Sequence, residues 1–220
     1  MNDMTLEVAI IDYACGNIAS VRNALLALGA NVTITSDISV LKSADSLVLP
    51  GVGAFGQGMT KLAERSLVDP LRELVQQDKK PILGICLGMQ MLASRGFEHG
   101  EHQGLGLIEG DVVKLTKTSE AINLPHVGWN EVIPEGSNVL LGDNNTSNKS
   151  FYFVHSYHLI PERKTDIAGT CNHGQPFCAA IARENIFGTQ FHPEKSQKEG
   201  LNLLGNFLKY SAAQAGKINA

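Results

Sequence analysis

Of the four cysteines, Cys15, Cys86, Cys171 and Cys178, one stands in a setting built for chemistry. Cys86 is the centre of Gly84-Ile85-Cys86-Leu87-Gly88-Met89-Gln90, where an apolar run meets a helical pattern. Glycine on both sides of the central residue is what a sharp strand-to-helix elbow needs, because a Cβ at either place would crowd the turn. Such an elbow lifts the thiol out at the carboxyl edge of a sheet. It also sets it at a helix N-terminus, where free N–H groups favour negative charge on sulfur. The amide of Leu87 then faces the place where an oxyanion would form. A lone cysteine is more often a small buried hydrophobe. That reading suits Cys15, Cys171 and Cys178, which lack the flanking glycines.

A thiol nucleophile needs a base. Gln190-Phe191-His192-Pro193-Glu194 follows a late apolar run. In an extended segment residues two apart face the same way, so His192 and Glu194 are expected on one side, with the carboxylate orienting the imidazole. Alone, His192 reads as an ordinary surface histidine and Glu194 as a solvated charge; their spacing is what joins them. A metal site lacks further ligands at convincing spacing. A third segment, Pro50-Gly51-Val52-Gly53, ends a strand with two glycines whose amides can approach a substrate closely as oxyanion donors. It lacks the Gly-Lys-Ser/Thr tail of a phosphate loop.

The elements that must hold these residues follow from periodicity. Val8–Ile11, Val32–Ile34, Ser46–Leu49 and Pro81–Cys86 read as strands. Helices are expected from Asn17 to a stop at Gly29, over Phe55–Arg65 and Leu67–Gln77, and over Leu87–Ser94. That alternation means βαβ units and a parallel sheet. In the second half Asp111–Leu115, Glu131–Ile133, Phe151–Val154, Ile167–Cys171, Cys178–Ala182 and Ile186–Gln190 read as short strands. Asn185 turns the last two into a hairpin, Asn144–Lys149 is a polar loop, and Gly200–Ala212 is a closing helix. The expected fold is α/β: a mostly parallel twisted sheet flanked by helices, with antiparallel strands late in the chain, in one domain over residues 1–220.

Composition sets the outer limits. The chain has 220 residues, 43% hydrophobic and 18% charged, with a formal net charge of -4. That is enough chain for a sizeable core. The acidic balance, with no basic run, argues against a nucleic-acid partner. No apolar stretch reaches the ~18 residues that span a bilayer. The N-terminus has neither the basic start nor the cleavage site of a signal peptide, so a cytoplasmic protein without a membrane partner is expected. Scattered cysteines without a CxxC pair give no zinc pattern.

The segments GICLGMQ, PGVG and FHPE, far apart and in this order, resemble the class I glutamine amidotransferases. The resemblance implies a Cys-His-Glu triad of Cys86, His192 and Glu194, and an oxyanion hole from Gly51, Val52, Gly53 and the Leu87 amide. It implies glutamine binding by Gln90, Ser156 and Tyr157, and no metal or organic cofactor. A narrower resemblance, over about Val8 to Phe207, is to the glutaminase subunits of imidazole glycerol phosphate synthase. It rests on Asp12-Tyr13 with Gly16-Asn17-Ile18 and Ser20-Val21, on Pro125-His126-Val127-Gly128-Trp129-Asn130, and on Phe153-Val154-His155-Ser156-Tyr157. Ala14-Cys15 departs from the pattern, where a glycine is expected near Ala14. This resemblance implies a heterodimer with a (βα)₈-barrel cyclase subunit, docked near Trp129, Asn130, Tyr157 and Lys195. Ammonia from glutamine is then used in making imidazole glycerol phosphate and an aminoimidazole carboxamide ribonucleotide for histidine biosynthesis. A lone tryptophan such as Trp129 is also commonly plain core. Three other readings stay open at this level: the same glutaminase feeding another acceptor, such as a nucleotide-sugar amidination system, a cysteine hydrolase on a similar sheet, and a non-catalytic regulatory subunit. The paired glycines Gly51 and Gly53 suggest a loop with an idle and a competent arrangement, biased by partner docking.

Overall fold

The computed structural model describes residues 5–14, 16–116, 122–142 and 149–217. Cys15 and most of the expected polar loop at 144–149 lie outside the described residues. In chain order the elements are β1 (Glu7–Ile11), α1 (Ile18–Ala27), β2 (Asn31–Thr35), α2 (Ile38–Ser43), β3 (Ser46–Leu49), α3 (Phe55–Glu64), α4 (Val68–Gln76), β4 (Ile82–Ile85) and α5 (Leu87–Met91). Then follow β5 (Ala93–Gly96), β6 (His102–Gln103), β7 (Ile108–Lys114), β8 (His126–Pro134), β9 (Lys149–His155), β10 (Tyr157–Pro161), β11 (Ile167–Asn172), β12 (Pro176–Arg183), β13 (Ile186–Thr189) and α6 (Gln197–Gln214). Short 3-10 turns lie at Lys164–Asp166 and Pro193–Lys195.

Among the described residues the strands form two sheets. The larger runs β2-β1-β3-β4-β13-β12-β11-β8-β9. Its first half, β2 to β13, is parallel, and from β13 to β9 every neighbour is antiparallel. The smaller sheet runs β10-β7-β5-β6. The expected parallel sheet with late antiparallel strands is therefore present.

The sequence explains the division. β3, β4 and β13 (SLVL, ILGI and IFGT) are buried at every position, as strands covered on both faces must be. α3 buries Phe55, Gly58, Met59 and Leu62, and α4 buries Leu71, Leu74 and Val75, both at helical spacing against the sheet. Each such large apolar side chain contributes about 1.5–3 kcal/mol. β8, by contrast, alternates, with Val127, Trp129 and Ile133 about half exposed. The hairpin at Glu184–Asn185 forms as expected, and Asn185 does more than turn the chain. Its buried Nδ2 donates to the carbonyls of Val75 and Lys80 at 2.9 Å each, tying the end of α4 to the sheet.

The expected helix over Leu87–Ser94 is the main departure. The helix stops at Met91, and Ala93–Gly96 is a strand paired with β6 and β7. Its helical pattern is overridden by tertiary pairing, with the amides of Gly104, Leu105 and Gly106 bonding back to Ser94, Met91 and Ala93. In the smaller sheet periodicity marks β7, expected over Asp111–Leu115 and found over Ile108–Lys114, but neither β6 and β10 nor, elsewhere, the helix α2, whose segments are short.

Candidate active site

Four neighbouring parallel strands deliver the site. The carboxyl ends of β1, β3, β4 and β13 lead respectively to Asn17, the Pro50–Gly53 loop, Cys86, and Gln190 with His192. Ligand crevices of open α/β sheets lie at this edge.

Cys86 has φ 54° and ψ −109°, a region that non-glycine residues seldom enter. Such strain costs about 1–3 kcal/mol and persists only where neighbours enforce it. Here they do. The Cys86 amide donates to Thr189 O at 2.7 Å, and α5 begins at the next residue. A Cβ on Gly88 would stand 1.7 Å from Leu49 O, and one on Gly84 2.7 Å from the Met89 amide nitrogen. The elbow thus presses directly against β3, and both glycines are obligatory. Gly51 packs equally tightly, since a Cβ there would come within 2.6 Å of Tyr13 Oη and 2.8 Å of Leu87 Cβ. Tyr13 Oη donates to Pro50 O at 2.7 Å and braces the loop. Gly53 has φ +101° with nothing within 4 Å, so its glycine serves conformation and not space.

His192 Nδ1 lies 2.8 Å from Glu194 Oε1, with both side chains buried. The pairing arises differently from the extended-strand expectation. His192 is extended, but Glu194 lies in the 3-10 turn Pro193–Lys195, which curls the carboxylate back under the ring. Asn17 Nδ2 donates to the same Oε1. Asn17 caps α1 in a left-handed conformation, φ 71°, which aims its amide across at the turn. Burial works against charge on His192, but hydrogen bonding and charge from the Cys86 sulfur and the Glu194 carboxylate outweigh it and raise its pKa to about 9. At neutral pH the ring is an imidazolium. Its buried Nε2 faces the Cys86 sulfur and has no other partner among the described residues, so the proton there is available for transfer.

Cys86 and His192 open onto a cavity of about 420 Å³. Val52, Gly53, Leu87, Gln90, Ser156 and Tyr157 also line it, so the residues expected to bind glutamine and its oxyanion gather there, while Gly51 sits behind the wall. Gln90 Nε2 donates to Tyr157 O at 2.9 Å and to Gln190 Oε1 at 3.0 Å. Five lining residues escaped the sequence reading as site candidates: Ala54, Glu98, Pro125, Val154 and His155. Glu98 is the most consequential. Phe55 N donates to its Oε2 at 2.9 Å, fixing a carboxylate at the wall. It stands in an ordinary polar stretch, Glu98-His99-Gly100-Glu101-His102, and no local pattern marks it out. Cys171 and Cys178 are buried, and burial pushes both thiols up to about 12, which suits inert packing. No cluster that could hold a metal ion occurs among the described residues.

The residues expected at a partner surface divide. Trp129 is 49% exposed, and Val127 and Val154, directly opposed across β8 and β9, are exposed on the same face. Lys195 Nζ lies over the Tyr152 ring, 5.8 Å from its centroid, and Trp129 meets that ring edge-on at 6.3 Å. Tyr157 is not in this patch; it begins β10 and lines the cavity, while Tyr152 takes the place beside Trp129. Asn130 points the other way, towards His126 and the carbonyl of Asn172.

A fold of this topology, with a strained cysteine elbow facing a histidine–glutamate pair, has the arrangement of a thiol nucleophile with its base. The chain belongs to the class I glutamine amidotransferase family, whose model matches residues 9–210. It is 46% identical over 202 residues to the imidazole glycerol phosphate synthase subunit HisH 2 of Pseudomonas aeruginosa, covering 92% of this chain and 98% of that one. A HisH subunit from Rhodopirellula baltica is 46% identical over 200 residues, covering 91% and 96%. Among solved structures, PurLQS from Thermotoga maritima superposes with a TM-score of 0.74 at 17% identity, covering 94% of this chain and 99% of that chain. A glutamine amidotransferase from the same organism gives 0.68 at 16%, covering 94% and 97%. These two share the fold.

Proposed function

We propose that Cys86, His192 and Glu194 are the catalytic triad of a glutaminase subunit of imidazole glycerol phosphate synthase, which hydrolyses glutamine and passes ammonia to a cyclase subunit in histidine biosynthesis. The observation that carries this reading is the buried His192–Glu194 pair facing the strained Cys86 elbow in one cavity. The similarity to HisH subunits over nearly their whole length supports the acceptor.

In this mechanism the Cys86 thiolate attacks the side-chain carbonyl of glutamine. The Leu87 amide and the Gly51–Gly53 loop stabilise the tetrahedral oxyanion, at about 3 kcal/mol per donor. The C–N bond breaks as His192 gives its proton to the leaving ammonia. The neutral imidazole then takes a proton from water, which attacks the γ-glutamyl thioester and releases glutamate and the thiolate. Glu194, held by Asn17, keeps the ring in register. Gln90 and the Ser156–Tyr157 segment bind the amino-acid end of the substrate, and the Glu98 carboxylate is suited to its ammonium group. The exposed Val127, Trp129 and Val154 with Lys195 form the docking face for a (βα)₈-barrel cyclase, next to the cavity that Val154 helps to line. Gly53 gives the oxyanion loop its freedom to switch when the cyclase docks. The chain acts as one glutaminase domain, which the continuous nine-stranded sheet supports, and its place is the cytoplasm, where histidine biosynthesis would use it. No helix among the described residues is long and apolar enough to cross a membrane.

The test is a glutaminase assay of the purified chain alone and with its cyclase, with and without the cyclase's nucleotide substrate. Turnover should rise on complex formation and again with nucleotide. Equal rates in all three states would overturn the coupling, and failure of a glutamine-like electrophile to label Cys86 would overturn the triad.

A further inference from the structure

His126 and His155 stand opposite each other on β8 and β9, both buried, and the mechanism above does not use them. Their rings are held firmly. His126 lies between Phe153 and His173, stacked at centroid distances of 4.7 and 4.0 Å. His155 packs at 5.1 Å on Phe177. They are also joined: His126 Nδ1 is 3.0 Å from His155 Nε2, and His155 Nδ1 is 2.8 Å from Tyr157 O.

The hydrogens in this chain have only one consistent placement. A carbonyl can only accept, so His155 Nδ1 carries the hydrogen to Tyr157 O. Burial, partly offset by that bond, pushes His155 down to about 3, and burial with the neighbouring His173 takes His126 to about 4. Both rings are therefore neutral, with one hydrogen each. His155 Nε2 must accept, so His126 Nδ1 donates to it. His126 Nε2 must then accept, and Asn130 Nδ2 donates to it at 3.2 Å. Asn130 is fixed in turn: Nδ2 also donates to Asn172 O at 2.9 Å, and Oδ1 accepts from the Glu131 amide at 2.8 Å.

The far end of the chain is the cavity. Tyr157 O has a second lone pair, and Gln90 Nε2 donates to it at 2.9 Å. The other Gln90 hydrogen goes to Gln190 Oε1, and Gln190 Nε2 reaches Cys86 Sγ at 3.7 Å. Two runs of hydrogen bonds thus meet at the Tyr157 carbonyl. One is donated inward from the partly exposed Asn130 on β8, beside the Trp129 face, through His126 and His155. The other comes from Gln90, which also donates through Gln190 towards the sulfur.

We propose that His126 and His155 are positioning residues for glutamine: together they hold the Tyr157 carbonyl against Gln90, and they link that contact to Asn130 at the sheet's outer strand pair. The proposal rests on reading the cavity as the glutamine site. Its effect belongs chiefly to substrate binding, because the two histidines act on Gln90 through the Tyr157 carbonyl and reach Cys86 only through Gln90 and Gln190.

The experiment uses the complex with its cyclase at saturating concentration, with ammonia-dependent cyclase turnover as a control for docking. His155→Leu should raise KM for glutamine about tenfold and change kcat less than about twofold, the loss of one positioned hydrogen bond. His155→Asn, whose Nδ2 can stand where Nδ1 stood, should recover most of that KM. Asn130→Ala should raise KM less, and no further in the His155→Leu background. Equal KM in His155→Leu and His155→Asn, or independent multiplication of the Asn130 and His155 factors, would overturn the relay. A measurement on the unmutated chain covers the case in which His155→Leu does not fold. Imidazole nitrogen NMR near neutral pH should show both rings carrying hydrogen at Nδ1 only, and hydrogen at Nε2 of either breaks the chain. If instead the cavity were not the glutamine site, Cys86→Ala would leave glutamine turnover intact, a result distinct from unresponsive histidine variants.

Discussion

The two halves of the large sheet are built to different rules. The central parallel strands β3, β4 and β13 are buried at every position and end in backbone-tight loops. Gly84 and Gly88 pack so closely on the Met89 amide and on Leu49 O that no Cβ fits at either, and the Cys86 amide between them donates to Thr189 O. The antiparallel half, β8 and β9, has one face open, with Val127, Trp129 and Val154 exposed, and behind it a buried cluster of histidines and phenylalanines. The difference shows what each half can do. Rigid backbone on the parallel side supports bond-making chemistry, which needs preorganised amides. Side-chain hydrogen bonds on the antiparallel side can transmit position, because each buried donor and acceptor there is fixed by the next.

If that division is right, changes on the parallel side should damage turnover most. Cys86→Ala should lower glutamine-dependent turnover by about four orders of magnitude or more, with ammonia-dependent cyclase turnover unchanged. Cys178→Ala is its control: a buried thiol whose Sγ contacts Ala180 O at 3.4 Å should affect stability by about 1 kcal/mol and leave kcat alone. Parallel kinetics and urea titrations of both variants separate the two roles. Next in size is Gly88→Ala. Its Cβ would meet Leu49 O at 1.7 Å, backbone against backbone, so the elbow cannot close without moving β3. A stability loss of about 3 kcal/mol or more is expected. Gly53→Ala, with open space around it, should cost only about 1–2 kcal/mol through its φ of +101°. If both glycine variants melt alike, the sharp contrast between elbow and loop is wrong.

The pH dependence of turnover is a smaller and more specific effect. His192 must be protonated to give a proton to ammonia, and its pKa stands raised at about 9. Glutaminase kcat/KM of the complex should therefore hold through neutral pH and fall as pH rises through about 9. Glu194→Gln removes one of the charges that raise it, so the fall should begin at lower pH. An unchanged profile in Glu194→Gln would remove the carboxylate from the triad.

What was legible in the sequence follows the same boundary. The elbow could be read from Gly84, Cys86 and Gly88 because its geometry is local: each glycine answers to a neighbour within a few residues or on the adjoining strand. His192 and Glu194 could be paired by spacing, although a 3-10 turn and not an extended strand joins them. Glu98 and Asn17 could not be assigned, since each reaches the site from distant chain. Asn17 is 177 positions from Glu194 and Glu98 is 43 from Phe55. β5 was hidden for a related reason. Ala93–Gly96 has too few residues for a period, and its strand character comes from β7, which is a tertiary fact. The histidine relay lies wholly in cross-strand register, His126 against His155, which no single segment reveals.

The gentlest way to separate the halves is to titrate the histidines. His126 and His155 are held well below the usual histidine value of 6.5, at about 4 and about 3, by burial first. Unfolded, they take up protons from about pH 6.5 downward; folded, they do not. The unfolded state then binds more protons, so stability rises with pH across this window and is lost as pH falls from about 6.5 towards 4 and below. The groups facing them are Asn130, Phe153, His158, His173 and Phe177, with the Tyr157 carbonyl, and no carboxylate is among these neighbours to compensate the charge. The urea midpoint should therefore decline between about pH 6.5 and 4.5, ahead of the range in which ordinary carboxylates titrate. His155→Asn should flatten that decline while leaving the loss of turnover above about pH 9 in place. That alkaline limit is set by His192, on the other half of the sheet. A midpoint that stays level down to pH 4.5 would mean that the two rings take up protons without breaking the fold, and the antiparallel half would not hold a neutral relay.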